Sequence, residues 1–382
     1  MTASETPAGC WPTEYQELLL RACLLDGDQA LDAWRRWEQL CGLDSVDQGS
    51  YRLLPLLYTK LRLLGVEHPT LGKLKGIHRR AWSETRVLTW KLAPAIRLLE
   101  QNGIPTVMLK GVPLAALFYG DIALRPMSDV DVLVPEDHAL NALDLLQRNG
   151  WTHKEAFKPL EHARLPVIAR NVPKLEQELH VELQNGVNLA DSEGREVDLH
   201  WNVLPLSSPG AEQPFWDCAV PFRFEGVETR TLCPTDHLLH TCAHGLMWNT
   251  LPTIRWVADS AMIIRRAPID WNRLVTLSDR LLIALPVSDG LHYLANIFGM
   301  PVPADVLGRL ARLKVARKEQ DEYKRLQAAP PEGPVGWIRS RYQIYSQRTR
   351  GRSVGYKVQL IRRQGLLWLG RVLRARLEKR TA

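Results

Sequence analysis

The chain has few cysteines and no long apolar run. Its six cysteines are scattered through 382 residues, and no two of them form a Cys-x-x-Cys motif. This pattern argues against a disulfide framework and a cysteine-type zinc site, and it favours a reducing compartment. No apolar stretch reaches the ~20 residues that a transmembrane helix needs, and the N-terminal residues lack the basic and apolar segments of a signal peptide. We therefore expect a cytoplasmic protein without a membrane span.

The formal net charge of +7 is unevenly distributed. Residues 339–382, here called the basic tail, contain 13 lysines and arginines and one acid, whereas the remainder has 36 basic and 41 acidic residues. Three interpretations of the basic tail remain open at this point. It binds nucleic acid, it binds an anionic membrane surface, or it docks on the chain's own acidic body.

Apolar periodicity divides the chain into four segments. Residues 1–102 place apolar side chains at helical spacing, and the same spacing returns over 233–327. Between them, 103–232 combines short apolar strands with short helices, and 328–382 begins with a Pro- and Gly-rich linker to the basic tail. The sequence thus predicts an α+β fold, with a small mixed sheet flanked by N-terminal and C-terminal helical regions. The predicted strands cover 106–109, 129–134, 179–183 and 196–201, the last two forming a hairpin.

Two aspartates in the second predicted strand are the most informative feature. Side chains alternate between the two faces of a strand, so Asp129 and Asp131 share one face while Val130 and Val132 share the other. Two carboxylates on one face of a strand built for burial repel each other unless a cation compensates them. A divalent metal is the simplest cation to meet this need. Mg²⁺ held by one or two carboxylates usually serves phosphate chemistry.

Five short stretches accompany this pair in a fixed order. They are Leu109-Lys110-Gly111, Tyr119-Gly120, Arg125-Pro126, Asp129 to Val134, and Val197 to Trp201. Together they resemble the polymerase-β-like nucleotidyltransferase superfamily, and within it a bacterial family of uncharacterised nucleotidyltransferases. The resemblance extends over roughly residues 50–300. The combination is fairly specific, whereas an Asp-x-Asp motif alone is not.

The resemblance implies a Mg²⁺-dependent enzyme with a nucleotidyltransferase core. Such an enzyme transfers a nucleoside monophosphate from an NTP, here expected to be ATP, to a hydroxyl or phosphate of an acceptor. The acceptor is unidentified, and a small molecule or peptide is favoured over nucleic acid because the basic charge lies away from the core. Asp129, Asp131 and Asp198 would be catalytic and metal-binding, with two ions ~3.5–4 Å apart. Glu196 or Glu182 could replace Asp198.

Four further residues would bind the nucleotide or support the site. Lys110 and Arg125 would meet the charge of the triphosphate. Gly111 would let the backbone approach the phosphates, and the helix that follows it would direct its N–H groups toward them. His200 would be a hydrogen-bonded partner of the site.

Two groups of side chains have alternative interpretations. Arg125 could form a structural salt bridge to Asp121 or Asp129 instead of binding phosphate. Three histidines on one predicted helical face could bind zinc, although packing against the core is favoured; they are His237, His240 and His244.

The turn after the first strand departs from the superfamily pattern. Members usually have Gly-Ser or Gly-Gly there, whereas this chain has Gly111-Val112 and so lacks a hydroxyl that often touches a phosphate. The departure favours a second hypothesis, a non-catalytic binding protein that keeps the fold. A third hypothesis is an RNA-binding protein that acts through the basic tail.

Overall fold

The protein has an α+β fold in which helices flank a seven-stranded mixed sheet, which confirms the predicted fold class. The computed structural model describes residues 9–153, 177–179, 181–182, 184–204, 210–247, 254–328, 353–364 and 366. The chain divides into two compact units. The first unit comprises Met1–Pro94, Val107–Asp131 and Phe215–Pro331, and the second comprises Ala95–Thr106, Val132–Pro214 and Glu332–Ala382. The predicted division into four segments stays a prediction.

The N-terminal helices form because apolar residues recur on one face of each. In α1, Leu19, Leu20 and Leu24 are fully buried, as is Trp37 of α2. The side chain of Gln16 accepts a hydrogen bond from the Thr13 amide and so closes the start of α1 (2.9 Å). The helices are α1 Glu14–Leu24, α2 Gly27–Leu40, α3 Gln48–Tyr51, α4 Leu54–Leu63 and α5 Thr70–Gln101.

The strands hydrogen-bond in the order β3-β4-β5-β2-β1-β7-β6. In the first unit β1 runs parallel to β7, with Val107 opposite Arg230, and β7 pairs antiparallel with β6. In the second unit β4 and β5 pair antiparallel, with Asn188 opposite Asp198. The strands are β1 Val107–Leu109, β2 Asp129–Leu133, β3 Thr152–His153, β4 Gly186–Ala190, β5 Glu196–His200, β6 Val220–Phe224 and β7 Val227–Thr231.

The prediction of a strand over 179–183 is wrong. Residues 177–179 and 181–182 are helical, and the partner of β5 in the hairpin is β4. The indole N–H of Trp201 donates to the carbonyl oxygens of Val181 and Gln184, which end this helical stretch. Leu179, Val181 and Leu183 alternate with polar residues, a pattern that favours a strand, yet the described part of this stretch is helical.

Helices make up most of the rest of the described chain. In the first unit α9 packs against α10, α11 and α12, and nearly all of its residues are buried. The helices that follow β1 are α6 Gly111–Leu114, α7 Ala139–Arg148, α8 Gln213–Cys218, α9 Pro234–Gly245, α10 Arg255–Arg266, α11 Trp271–Arg280, α12 Ala284–Phe298, α13 Ala304–Ala311 and α14 Arg317–Gln327.

The described part of the basic tail is helical over 354–364. Within the second unit its Tyr356 hydroxyl and Arg363 guanidinium both bond to Glu182 (2.5 and 2.6 Å), and Arg363 also bonds to Glu178 (2.9 Å). Leu360 is buried. These contacts favour docking on the chain's own acids for this part of the tail. The remainder of the tail and the linker beyond residue 328 lie outside the described residues. Among the described residues no helix is both long and apolar enough to cross a bilayer.

One close contact in the first unit is directly testable. A Cβ added to Gly245 would lie 2.3 Å from the Cβ and Cγ atoms of Trp256, so Gly245→Ala should lower the free energy of unfolding by about 1–3 kcal/mol through overpacking. Gly76→Ala is the matched control, because it lies inside α5 with nothing within 4 Å of the added atom. It should raise the free energy by about 0.5–1 kcal/mol. Urea denaturation measures both, and equal effects would contradict the tight packing.

Candidate functional site

The strand β2 presents the two predicted aspartates. Val130 and Val132 are buried on its apolar face, while Asp129 and Asp131 alternate with them on the other face. Asp131 is itself 5% exposed, whereas Asp129 is partly exposed. A carboxylate with so little access to water needs a nearby cation or several hydrogen bonds to stay ionised.

Lys110 supplies that cation in the first unit. Its ammonium Nζ lies 2.6 Å from Oδ1 of Asp131, and the pair is partly buried. Lys110 follows β1 and has φ of +46°, a left-handed conformation that is rare for a residue with a side chain. Such a conformation costs about 1–3 kcal/mol and tends to occur at functional sites. The residue that compensates the charge of Asp131 is therefore also the residue with a strained backbone.

The turn after β1 is tightly packed. Gly111 to Leu114 are all buried, and α6 is a single turn. A Cβ added to Gly111 would lie 3.1 Å from the Met127 sulfur and 3.6 Å from a guanidinium nitrogen of Arg125. Glycine at this position therefore permits the close approach of Met127. The contact of the Gly111 backbone with phosphate remains a prediction.

Arg125 belongs to a buried network in the first unit. Its guanidinium donates two hydrogen bonds to the Asp259 carboxylate (2.8 and 2.9 Å), and the Tyr119 hydroxyl donates a third (2.7 Å). Burial opposes the charge of Arg125, but the Asp259 carboxylate outweighs it and raises the pKa of the guanidinium. Arg125 thus forms a structural salt bridge with Asp259, whereas the alternative prediction named Asp121 or Asp129 as the partner. The role of Arg125 in phosphate binding remains a prediction.

The histidine face of α9 packs inside the first unit. His237 contacts the Thr231 hydroxyl (3.0 Å), and burial lowers its pKa to about 3, so this ring is neutral. Burial followed by the charges of His244 and Lys110 also holds the pKa of His240 well below its usual value. Among the described residues these histidines are not grouped closely enough to share a metal ion. The observed contacts favour the packing interpretation.

In the second unit, β5 presents Asp198 and His200. The Nε2 atom of His200 lies 3.0 Å from Oδ2 of Asp198, and His200 is buried. A Cβ on Gly186 would lie 2.8 Å from Nδ1 of His200, so only glycine allows the imidazole to sit against β4. The amide of Val134, just beyond β2, donates to the His200 carbonyl oxygen (2.8 Å).

The two predicted substitutes for Asp198 have other partners. Glu196 accepts a hydrogen bond from Asn188 across the hairpin (3.1 Å). Glu182 accepts from Tyr356 and Arg363 of the tail helix. Both acids are therefore used by the fold of the second unit, which favours Asp198 among the three.

Three side chains that could together hold a metal ion lie in the first unit. They are Cys218, Cys233 and Asp236, and the two sulfurs are 3.1 Å apart. Burial raises the pKa of Cys233 to about 12, so this thiol is protonated at neutral pH. Arg273 already binds both oxygens of the fully buried Asp236 (2.8 and 2.7 Å). A carboxylate already paired with an arginine, beside a protonated thiol, is poorly suited to bind a metal ion. These contacts favour a structural role for the three residues.

Sequence reasoning missed the network around Asp259. Tyr119 was recognised only as part of a short motif, and its contact with Asp259 spans 140 residues of sequence. Lys110 was predicted to bind phosphate, yet its pairing with Asp131 was not foreseen. The occurrence of Tyr119 and Arg125 in the motifs was the available signal, because buried charged residues require partners.

The Asp259 network should contribute strongly to stability. Asp259→Asn leaves the Arg125 guanidinium buried without its counter-charge, so the free energy of unfolding should fall by about 3–5 kcal/mol. The control is Asp144→Asn, which breaks the exposed pair of Asp144 with Arg148 and should leave stability unchanged within error. Urea denaturation of both variants gives the comparison. A loss below about 1 kcal/mol for Asp259→Asn would refute the buried-pair argument.

Comparison with known proteins gave one informative result. A family model described as uncharacterised nucleotidyltransferase matches residues 50–299 of the chain. No curated protein and no solved structure matched. The matched region contains β1, the turn at Gly111, β2 and β5, and it covers more than half of the 382 residues. The chain therefore belongs to the uncharacterised nucleotidyltransferase family.

Proposed function

We propose that the protein is a Mg²⁺-dependent nucleotidyltransferase that moves a nucleoside monophosphate from ATP to a hydroxyl or phosphate of a small-molecule or peptide acceptor. Family membership supports the reaction class, since nucleotidyltransferases in general use an NTP and a divalent metal. The nucleotide, the ion and the acceptor class belong to the proposal. A cytoplasmic location belongs to it as well.

The observation that carries the proposal is the pairing of Lys110 with the nearly buried Asp131. The ammonium lies against one carboxylate of a strand face on which Asp129 places a second. A site that concentrates acids beside one cation suits a hard divalent ion, whose preferred ligands are carboxylate oxygens. The donor set of the chain thus fits Mg²⁺.

We assign the metal to Asp129, Asp131 and Asp198, with His200 as supporting partner. In the strand order β5 is the neighbour of β2, which supports assigning Asp198 to the same site as the β2 acids. His200 contacts Asp198 directly (3.0 Å) and would orient its carboxylate, as outer-shell partners commonly do. Bound Mg²⁺ would supply neutralisation of the triphosphate charge.

The chain's own residues account for positioning and charge. Lys110 presents an ammonium group that can bind phosphate oxygens as a point charge. The strained backbone at Lys110 and the packed turn at Gly111 hold that ammonium at the end of β1. Arg125 adds buried positive charge nearby, since its pKa responds to Asp131 as well as to Asp259. In phosphoryl-group transfer, such positioning and charge neutralisation provide most of the rate enhancement.

Removing either β2 carboxylate should abolish turnover. Asp131→Asn and Asp129→Asn should each reduce Mg²⁺-dependent ATP consumption at least about 100-fold, because a neutral amide oxygen binds a hard cation more weakly than a carboxylate does. Asp137→Asn is the control, since Asp137 is exposed beyond the end of β2. Radiolabelled ATP with a cell extract as the source of acceptor gives the measurement. Wild-type consumption by both variants would refute the site assignment.

Lys110→Met separates the two roles of Lys110. The ammonium competes with a metal for Asp131 and attracts phosphate, so its loss should tighten Mg²⁺ binding and weaken ATP binding, each by about 10-fold. Isothermal titration calorimetry with MgCl₂ and with Mg-ATP measures both affinities. Unchanged affinity for both ligands would show that Lys110 serves the fold alone.

A second candidate function is nucleotide binding without turnover. The packing of Met127 against Gly111, together with Val112 in place of a hydroxyl residue, favours it. Calorimetry distinguishes the two functions when combined with the turnover assay. Mg²⁺-dependent ATP binding without consumption supports the binding protein, and binding with consumption supports the enzyme.

A further inference from the structure

Helix α5 carries a line of exposed cations and tryptophans in the first unit. Its five members are spaced four, three, four and four residues apart, so at 3.6 residues per turn they follow one side of the helix. All five are exposed. We call them the α5 stripe; they are Lys75, Arg79, Trp82, Arg86 and Trp90.

The two tryptophans of the α5 stripe are unusually accessible. Trp82 is 51% exposed and Trp90 is 68% exposed, whereas Leu74, Ala81 and Leu92 of the same helix are buried. The buried residues already provide the face by which α5 packs, so the tryptophans are not needed for it. Trp90 follows Trp82 by eight residues, which places the two positions about 12 Å apart along the helix.

The part of α5 that carries the α5 stripe is strongly basic in sequence. Residues 73–91 contain six lysines and arginines and a single acid, Glu84, which pairs with Arg80 outside the stripe (2.7 Å). Arg86 contacts Glu225 (3.0 Å) and still leaves half of its side chain exposed. A positive surface of this kind attracts a polyanion.

We propose that the α5 stripe binds single-stranded nucleic acid, with the indoles stacking on bases and the cations contacting phosphates. Non-specific single-strand sites combine these two elements, a basic track and aromatic platforms. A membrane-binding helix instead gathers its apolar side chains on one face and its cations on the other. In the α5 stripe cations and indoles lie on the same side of the helix. This arrangement favours single-stranded nucleic acid over a membrane, because a nucleic acid presents both bases and phosphates along its length. This surface is distinct from the β2 residues, so the proposal stands whether or not the chain is a transferase.

The test measures binding of a short fluorescein-labelled oligouridine to the full-length protein by fluorescence anisotropy. Trp82→Ala and Trp90→Ala should each weaken binding by about 5- to 150-fold, the loss expected for one stacked base. Trp90→Phe, which keeps an aromatic ring, should recover much of the affinity. Arg79→Gln should reduce the salt dependence by about one phosphate contact.

Two controls separate the α5 stripe from other surfaces. Leu63→Ala removes an exposed apolar side chain of α4, and Arg35→Gln removes an exposed cation of α2, so neither change lies on α5. Neither should change affinity measurably. If the oligouridine binds only to the basic tail, neither tryptophan substitution will change its affinity. That result would overturn the proposal.

Two other outcomes would also overturn it. One is the absence of oligouridine binding at low salt. The other is tryptophan-dependent binding to vesicles containing phosphatidylserine without binding to oligouridine, which would identify the surface as a membrane contact. Thermal melting of each variant confirms folding, since substitutions at exposed positions usually change stability by less than about 0.5 kcal/mol.

Discussion

The buried carboxylate of Asp259 is the constraint on which the first unit depends. It accepts hydrogen bonds from Arg125 and Tyr119, two residues of the segment that joins α6 to β2. A charged pair at this depth is tolerated because each partner compensates the other. Helix α10 thereby determines the course of the chain immediately before Asp129, far from its own place in the sequence. The start of β2 is consequently positioned by a charge and not by apolar packing alone.

The buried carboxylate of Asp131 on β2 is also paired with a cation, but the kind of cation differs. Asp259 is fully occupied by its partners, whereas Asp131 faces a lysine whose flexible stem and three donors suit a partner that changes. The arginine network is therefore suited to a structural role, and in the proposed function the lysine pair takes part in the chemistry. That proposal needs both, because a nucleotidyltransferase requires a rigid frame around a site that receives a highly charged substrate.

The sequence predicted the local features of the site and few of its long-range ones. The shared face of Asp129 and Asp131 followed from the period of a strand, and β1 with its glycine turn followed from an apolar run ending at Lys110. Contacts across many residues left no periodic signal, so the Asp259 partner of Arg125 was not foreseen.

Helix and strand were confused at 179–183 for a related reason. The stretch alternates apolar and polar residues at the period of a strand, and its contact with Trp201, 20 residues further along, leaves no mark on that pattern. The backbone of Lys110 is a further case, because a positive φ in a residue other than glycine is imposed by its surroundings.

That backbone shows what position 110 contributes to the protein. Glycine would adopt the same φ without strain, and it would relieve a cost of about 1–3 kcal/mol in a protein whose whole stability is on the order of 5–15 kcal/mol. The bend in the chain therefore does not require a lysine. The ammonium group is the property that lysine brings to position 110 and glycine lacks.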